Sequence, residues 1–547
     1  MFPAVQQQSC LLLLPGELRN KIYREYILLG AENGYTYDFE AGKLRTAPDR
    51  QPIDLRLTYT CRQVACEMRG LPLRIQTVTF TTLYSPSLRI RAAKWDWLVH
   101  TKNFGTPWRQ HIPIISQLVS DEMMDEFKRR HGQTILYQQM THLRNYEEGA
   151  CDGACLKLDW VSLGHEGWGD VGSHYRETWA QVFELAMSDA NIKAEVQKRD
   201  SQLRGSECCI PSVCRYLPPD APWRIPTEAE LDKLAQELIG DGPGPAGTPE
   251  QHQWHQGFWD PGPGKHRFSA AAASIHFLKS IPQDVRQHLR KIVLDEDHLT
   301  VAYPSSHIRG LIPFCHENPQ LRVERRASLW KNIFLWGNWA NHYQLWNTDI
   351  SRVACKFWPK RRRYEGDRSL PVTFPSRPVA EWMGEMARPD IPGAIKLIFD
   401  GDPIAEHSAQ IFAKVIHRGA AWQRAINEVV VLENPLIEPD DFFEMKWTSD
   451  AWQCMGFPDL LKDMCANNKN PAARIRCNFD PGQPWDDEQV DALKKLGPSW
   501  GTDSNPLFFL NSWYHPTEKT VDTVAPLPSY FELWKENLLP EGEKEWT

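Results

Sequence analysis

Hydrophobic positions near the start of the chain recur with helical spacing. Leu18, Ile22 and Tyr26 follow one another at four-residue steps, which predicts an amphipathic helix with one apolar face. Pro15 suits the first helical position, because its missing N–H would have no partner there. Gly30 suits the position just after a helix. The pattern therefore predicts a helix between these two residues.

A second apolar stripe follows an insert that runs from Gly30 to Tyr59. Its i, i+3, i+4 and i+7 spacing predicts another short helix, and the stripe consists of Cys61, Val64, Ala65 and Met68. Thr60 and Gln63 have the spacing of a capping box at the start of this helix. Gly70 suits its end.

An alternating pattern comes directly after the second helix. Val78 and Phe80 alternate with Thr77, Thr79 and Thr81, which predicts a half-buried strand. Neither a short amphipathic helix nor a single strand buries a core alone, because each has only one apolar side. We therefore expect the two helices and the strand to pack together.

One charged residue lies at the edge of the first apolar face. Arg19 is adjacent to that face on a helical wheel, where a charge is costly unless it is paired. The chain contains the triplets Glu17-Leu18-Arg19 and Glu67-Met68-Arg69. We hypothesise that Arg19 pairs with Glu67 across the two helices. The alternative is an arginine whose stem covers apolar surface and whose head stays in water.

These residues carry a resemblance to a known family. The two patterns are Leu14-Pro15-x-Glu17-Leu18-Arg19-x-x-Ile22-Tyr23 and Thr60-Cys61-Arg62-Gln63-Val64-x-x-Glu67. Together with the strand that follows, they resemble the F-box-like domains of filamentous fungi. The paired E-x-R triplets also resemble the fungal domain family named for two such motifs. The resemblance covers about residues 11–82.

The resemblance implies a helical module that docks on the adaptor subunit of a cullin-RING ubiquitin ligase. The implied partner-binding residues are Leu14, Pro15, Leu18 and Ile22 on the first helix and Cys61, Arg62 and Val64 on the second. The rest of the chain would then recognise an unknown protein substrate for ubiquitination.

The chain departs from a standard F-box at two places. Residues 30–59 separate the helices, whereas an F-box has a short connection there. Arg19 also stands where an F-box usually has an apolar or aromatic residue. A second interpretation therefore stays open, in which the F-box-like segment is an integral part of the fold of an intracellular fungal scaffold or interaction protein with no link to a ligase.

Composition sets the broad class of the protein. Of its 547 residues, 41% are hydrophobic and 24% charged, which is typical of a globular chain with more than one domain. The net charge of −8 argues against nucleic-acid binding through a basic surface. Thirteen scattered cysteines do not indicate a disulfide scaffold, and no apolar run predicts a membrane span. We expect an intracellular protein of the cytoplasm and/or nucleus.

The remaining chain predicts a helix-rich mixed α/β (α+β) fold without a solenoid period. We expect a module over 1–85, a helix-rich region over 86–240, a Gly/Pro-rich linker or loop over 241–267 and an α/β region with a Pro/Trp-rich C-terminal part over 268–547. Strands are predicted at Lys291–Leu294, Leu321–Val323, Ile395–Phe399 and Val429–Leu432, and helices at Glu228–Ile239, Ala270–Leu278 and His407–Ile416.

One later segment repeats the first pattern. Ile281–Leu289 and Leu14–Ile22 both read apolar-Pro-x-acid-apolar-Arg-x-x-apolar. The echo is either an internal repeat or a reused way of starting a helix, and we favour the reused helix start.

No catalytic signature is present in the sequence. The candidates with alternative chemistry are Cys151 with Cys155, the group Cys208, Cys209 and Cys214, the His165–His174 loop, and the basic cluster Lys360–Arg363. Their spacings match neither a zinc site nor a hydrolase motif, so we expect no metal and no cofactor. Arg322, Glu324, Arg325 and Arg326 are expected to form surface ion pairs. We therefore expect a non-catalytic protein-interaction protein, with an enzyme using the His165–His174 loop as a remaining alternative.

Overall fold

The structure is a computed structural model of the chain. It describes residues 10–31, 33–104, 115–131, 135–144, 172–203, 221–239, 264–335, 369–371, 375–432, 453–454, 456–495 and 520–540. Statements about structure below concern these residues.

A seven-stranded sheet lies at the centre of the fold, with the strand order β2-β1-β3-β4-β5-β7-β8. The strands of the chain are β1 Tyr35–Asp38, β2 Lys43–Thr46, β3 Thr77–Thr81, β4 Lys291–Glu296, β5 Arg322–Ser328, β6 Leu370–Pro371, β7 Ile395–Asp400, β8 Ile475–Cys477 and β9 Thr520–Val521. β2 is antiparallel to β1, and all other neighbours in the sheet are parallel. β6 and β9 form a separate antiparallel pair. The predicted mixed α/β fold is confirmed.

Helices surround this sheet. Their bounds are α1 Cys10–Leu13, α2 Gly16–Gly30, α3 Arg62–Glu67, α4 Leu71–Ile75, α5 Pro86–Phe104, α6 Asp121–His131, α7 Ile135–Arg144, α8 Gly172–Met187, α9 Ala190–Leu203, α10 Glu228–Ile239, α11 Ala270–Ser280, α12 Gln283–Arg286, α13 Ile312–Glu317, α14 Ser376–Ala387, α15 Ala405–Ile411, α16 His417–Leu432, α17 Phe457–Asn467, α18 Asp487–Lys495 and α19 Tyr530–Lys535. Short 3-10 or π segments occupy Leu57–Tyr59, Pro304–Leu311, Leu329–Ile333 and Phe412–Ile416.

The order of the strands puts the core on one face of the sheet. From β1 to β8 the strands follow one another in space as they do along the chain. Because crossovers between parallel strands are right-handed, connections that always step in the same direction lie on the same side of the sheet. Val78, Leu294, Val323 and Leu397 point to that side and belong to one apolar core. The alternate positions form a polar face.

The alanine-rich start of α11 packs against β3 and β4. Ser269 caps this helix by accepting a hydrogen bond from the Ala272 N–H at 3.0 Å. The carboxylate of Glu296 accepts from the N–H of Ala270 at 3.0 Å and also from the guanidinium of Arg325. Arg325 and Glu296 are both fully buried. The expectation that Arg325 forms a surface ion pair is therefore wrong, because alternation along β5 turns it into the core.

The sheet joins segments that are far apart in sequence. β3 pairs in parallel with β4 along its whole length, so the sheet crosses both the boundary expected at residue 85 and the segment 241–267. The insert between the first two long helical segments contributes β1 and β2, which were not predicted. The strand predicted at Val429–Leu432 is wrong, since these residues end α16.

Candidate functional site

The helical segments over 10–31 and 57–75, here called the N-terminal module, have a small core of their own. Tyr23 and Ile27 of α2 pack with Val64 and Met68, and all four side chains are buried. Val64 is 1% exposed. Its expected role in binding a partner is corrected here, because a side chain at that depth stabilises the module instead of contacting another protein.

Arg19 and Glu67, the pair hypothesised from the sequence, form a bidentate ion pair. Arg19 Nε donates to Glu67 Oε2 at 2.9 Å and Nη2 donates to Oε1 at 2.6 Å. The Tyr23 hydroxyl also donates to Oε2, at 2.8 Å. These hydrogen bonds, with that of Arg19 contributing most, lower the pKa of Glu67 to about 2. The Arg19 side chain is 13% exposed, so it is not an arginine with a solvated head.

The same arginine also ties α2 to the turn before it. Arg19 Nη1 donates to the carbonyl oxygen of Leu14 at 2.5 Å. We call this arrangement, an arginine that binds a carboxylate on a later helix and the carbonyl at the start of its own helix, the arginine clamp. It fixes the rotation of α2, because the guanidinium has planar, forked donor geometry.

The start of α3 differs from the prediction. Cys61 is the N-cap residue and makes no side-chain capping hydrogen bond. The Thr60 hydroxyl donates instead to the Leu57 carbonyl at 2.7 Å. Gln63 donates to Glu67 Oε1 at 3.0 Å, so its amide supports the clamp and not a capping box.

The single apolar face predicted for α2 is two separate faces. Tyr23 and Ile27 point inward, whereas Leu18 is 45% exposed, Ile22 41% and Leu29 78%. These three side chains lie within about 40° of one another around a helix of 3.6 residues per turn. They form a continuous apolar strip, here called the docking stripe, on the outer surface of α2.

Exposed apolar side chains concentrate on this part of the molecule. Eight large hydrophobic side chains are exposed in the residues that the structure describes, and five lie between residues 13 and 59: Leu13, Leu18, Ile22, Leu29 and Tyr59. Of the other residues predicted to bind a partner, Pro15 and Arg62 are exposed and Leu14 and Cys61 are half-buried. Contiguous exposed apolar surface is typical of a site for another protein.

The module is held against the rest of the fold by contacts with the segment around α12. Arg74 Nε donates to Nδ1 of His288 at 3.2 Å, and Arg69 lies 2.8 Å from Asp284. Burial and the neighbouring arginines lower the pKa of His288, so the imidazole is neutral and accepts at neutral pH. Gly70 has φ +67°, and a Cβ there would lie 2.0 Å from the His288 ring. Only glycine satisfies both conditions.

The later copy of the motif contains a second arginine clamp. Arg286 Nε and Nη2 donate to the two carboxylate oxygens of Glu317 at 2.8 and 2.9 Å. Arg286 Nη1 donates to the carbonyl of Ile281 at 2.7 Å, as Arg19 does to Leu14. The echo in sequence therefore extends to three-dimensional geometry.

The alternative chemical candidates do not form a described site. Residues 151, 155, 165–171, 208–214 and 360–363 lie outside the described residues. Within the described ranges, no group of three or more His, Cys, Asp or Glu side chains is arranged to hold a metal ion. Ser269 Oγ lies 2.6 Å from His307 Nδ1, but both residues are at most 1% exposed. This pair caps α11 in the core and is closed to a substrate.

Comparison with known proteins gives no relative. Neither a protein family, a curated protein nor a solved structure matches this chain. No helix in the described part of the chain combines the length and apolar character needed to cross a membrane.

Proposed function

We propose that this protein is a non-catalytic interaction protein that docks on the adaptor subunit of a cullin-RING ubiquitin ligase and delivers a protein substrate to it. The observation that carries the proposal is the docking stripe, an exposed apolar strip on a helix whose other side is fixed in the module core. The F-box-like motif supplies the identity of the partner.

Physical chemistry supports a role for the stripe in binding. Burying a leucine or isoleucine side chain is worth about 1.5–3 kcal/mol, and water offers no compensation for leaving three of them exposed. The arginine clamp supports the same reading, because it prevents α2 from rotating its outer residues into the core. A rigid, preformed apolar helix face binds with a small entropic cost.

A scaffold role without a ligase is the second candidate, and a different observation favours it. β1 and β2 of the insert and β3 all belong to the central sheet, so the N-terminal module is continuous with the body. A segment that is integral to a fold need not retain the binding activity of an independent domain.

The test is binding of the full-length chain to the purified ligase adaptor subunit. Leu18→Asp and Ile22→Asp are expected to weaken binding at least about tenfold, because each places a charge in a desolvated apolar contact. Leu118→Asp is the matched control, since Leu118 is 45% exposed, as Leu18 is, but lies outside the module. It should bind as the wild type does.

Failure to bind has a clear meaning if the full-length chain is folded. Wild-type protein that shows no affinity for the adaptor subunit, while keeping its circular dichroism spectrum and cooperative melting, would leave the scaffold role. Equal loss of binding in Leu18→Asp and Leu118→Asp would show that the stripe has no special part.

A further inference from the structure

The polar face of the central sheet is a second surface, independent of the docking stripe. It is formed by Thr77, Thr79 and Thr81 of β3, Lys291, Val293 and Asp295 of β4, Arg322, Glu324, Arg326 and Ser328 of β5, and Lys396, Ile398 and Asp400 of β7. These side chains alternate with the core positions, and none belongs to the apolar core of the sheet. The described helices that pack on these strands do so through core residues.

Charge on the polar face is sorted along the direction of the strands. At the start of the central strands, Lys291 lies directly beside Arg322 in the sheet register. At the opposite end lie the carboxylates of Asp295, Asp297 and Asp400. The six residues of β4 span about 20 Å at 3.3 Å per residue. The face is therefore basic at one end and acidic at the other.

Few cations of the fold itself compensate the acidic end. The cation opposite Asp295 in the register is Arg326, and its guanidinium is already bound to Glu324 at 2.6 Å. Burial, together with the charges of Asp297 and Asp400, raises the pKa of Asp295 to about 6. Three carboxylates that repel one another on a solvent-accessible sheet face leave a negative potential that a partner's cation would relieve.

The basic end also has charge to spare. Lys291 has a side chain that is 47% exposed, and its amine lies 3.6 Å from Glu324. Arg322 donates to the carbonyl oxygens of Pro319 and Leu321 and not to a carboxylate. Both cations therefore keep most of their charge for an anionic partner group.

We propose that the polar face binds a protein segment whose own charges are separated, with an acidic end over Lys291 and Arg322 and a basic end over Asp295 and Asp400. The length of the face matches about 13 residues of helix at 1.5 Å per residue. A nucleic acid does not suit the face, because its phosphates would meet the three carboxylates. Complementary charge order gives such an interface its orientation and specificity.

The probe is a labelled helical peptide of about 14 residues with glutamates in one half and lysines in the other, titrated into full-length protein at low salt. The control peptide has the same composition with alternating charges. The separated peptide is expected to bind at least about tenfold more tightly, and its affinity should fall as salt is raised. Equal affinities for the two peptides would overturn the proposal.

Variants of the protein locate the binding. Asp295→Asn combined with Asp400→Asn should weaken binding of the separated peptide at least about fivefold. Asp459→Asn, which removes an exposed carboxylate from α17, is the matched control and should bind as the wild type does. Equal behaviour of the double variant and the control would also overturn the proposal. Thermal melting shows whether each variant is folded.

The outcome is separable from that of the proposed function. Leu18→Asp should leave peptide binding unchanged, because the docking stripe is on α2 and not on the sheet. Binding to the ligase adaptor subunit should in turn be unaffected by the Asp295→Asn and Asp400→Asn changes.

Discussion

Two copies of one motif have different surroundings in this molecule. Arg19 and Arg286 form equivalent clamps, each with a bidentate carboxylate and the carbonyl five residues earlier. The apolar residue three positions after the arginine differs sharply between them. Ile22 is 41% exposed, whereas Leu289 is 0% exposed. The motif therefore specifies the clamp and leaves open whether its apolar positions are buried.

The cause of the difference is the path of the chain after the arginine. After Arg286 the helix ends and the chain turns directly into β4, which carries Leu289 into the sheet core. After Arg19 the helix continues to Gly30, so Ile22 stays on its outer surface. Burial was available to this motif in the body but is not used in the module, which is why we assign the exposed copy to a partner.

Truncating the two equivalent apolar residues should give the largest contrast. Leu289→Ala is expected to lower the free energy of unfolding by about 2–5 kcal/mol, because it leaves a cavity in the core. Ile22→Ala is expected to change it by less than about 0.5 kcal/mol. Denaturant titration of both variants measures the difference. Similar losses would mean that Ile22 is buried and the contrast between the copies is false.

Acid titration separates the clamps from the polar face, because the pKa shifts have opposite signs. Asp295 has a folded pKa of about 6, above its unfolded value, so its cost appears as pH rises from about 4 to about 6. Asp295→Asn should therefore stabilise the protein at pH 7 by about 1–2 kcal/mol and have little effect at pH 4. Unfolding at the two pH values tests this, and a destabilised variant at pH 7 would contradict it.

The pKa values of Glu67 and Glu317 are lowered, mainly by their hydrogen bonds to the clamp arginines. Their stabilising contribution is present above the unfolded pKa and is lost as pH falls through the folded pKa, which is about 2 for Glu67. We expect Glu67→Gln and Glu317→Gln each to lower the melting temperature by about 2–4 °C at pH 7.

Double-mutant cycles show whether the two clamps are equivalent. The cycles Arg19→Met with Glu67→Gln and Arg286→Met with Glu317→Gln should both show favourable coupling. Coupling in the body with none in the module would mean that the Arg19 pair does not hold α2 in place.

Sequence reasoning succeeded where the determinants are local. The start of α2, the partner of Arg19 and the position of β4 all follow from short patterns. It failed where tertiary context decides. The run ending at Leu432 has strand-forming side chains but completes α16, because helix packing overrides a weak propensity.

The two faces of α2 show the same limit. The spacing of Leu18 and Ile22 correctly predicts an apolar strip, but a helical wheel does not say which of two apolar strips meets the core. Alternation along β5 would have identified Arg325 as inward, since it lies between Val323 and Ala327. Its partner Glu296 is distant in sequence, so no local signal reveals it.

The most direct test of our account is hydroxyl-radical footprinting of the full-length chain with and without the ligase adaptor subunit. We predict that Leu18 and Ile22 react readily in the free protein and become protected in the complex, while Leu118 reacts equally in both. Unchanged reactivity of Leu18 and Ile22 on adding the adaptor subunit would contradict docking through the stripe. Low reactivity of these residues in the free protein would contradict their exposure.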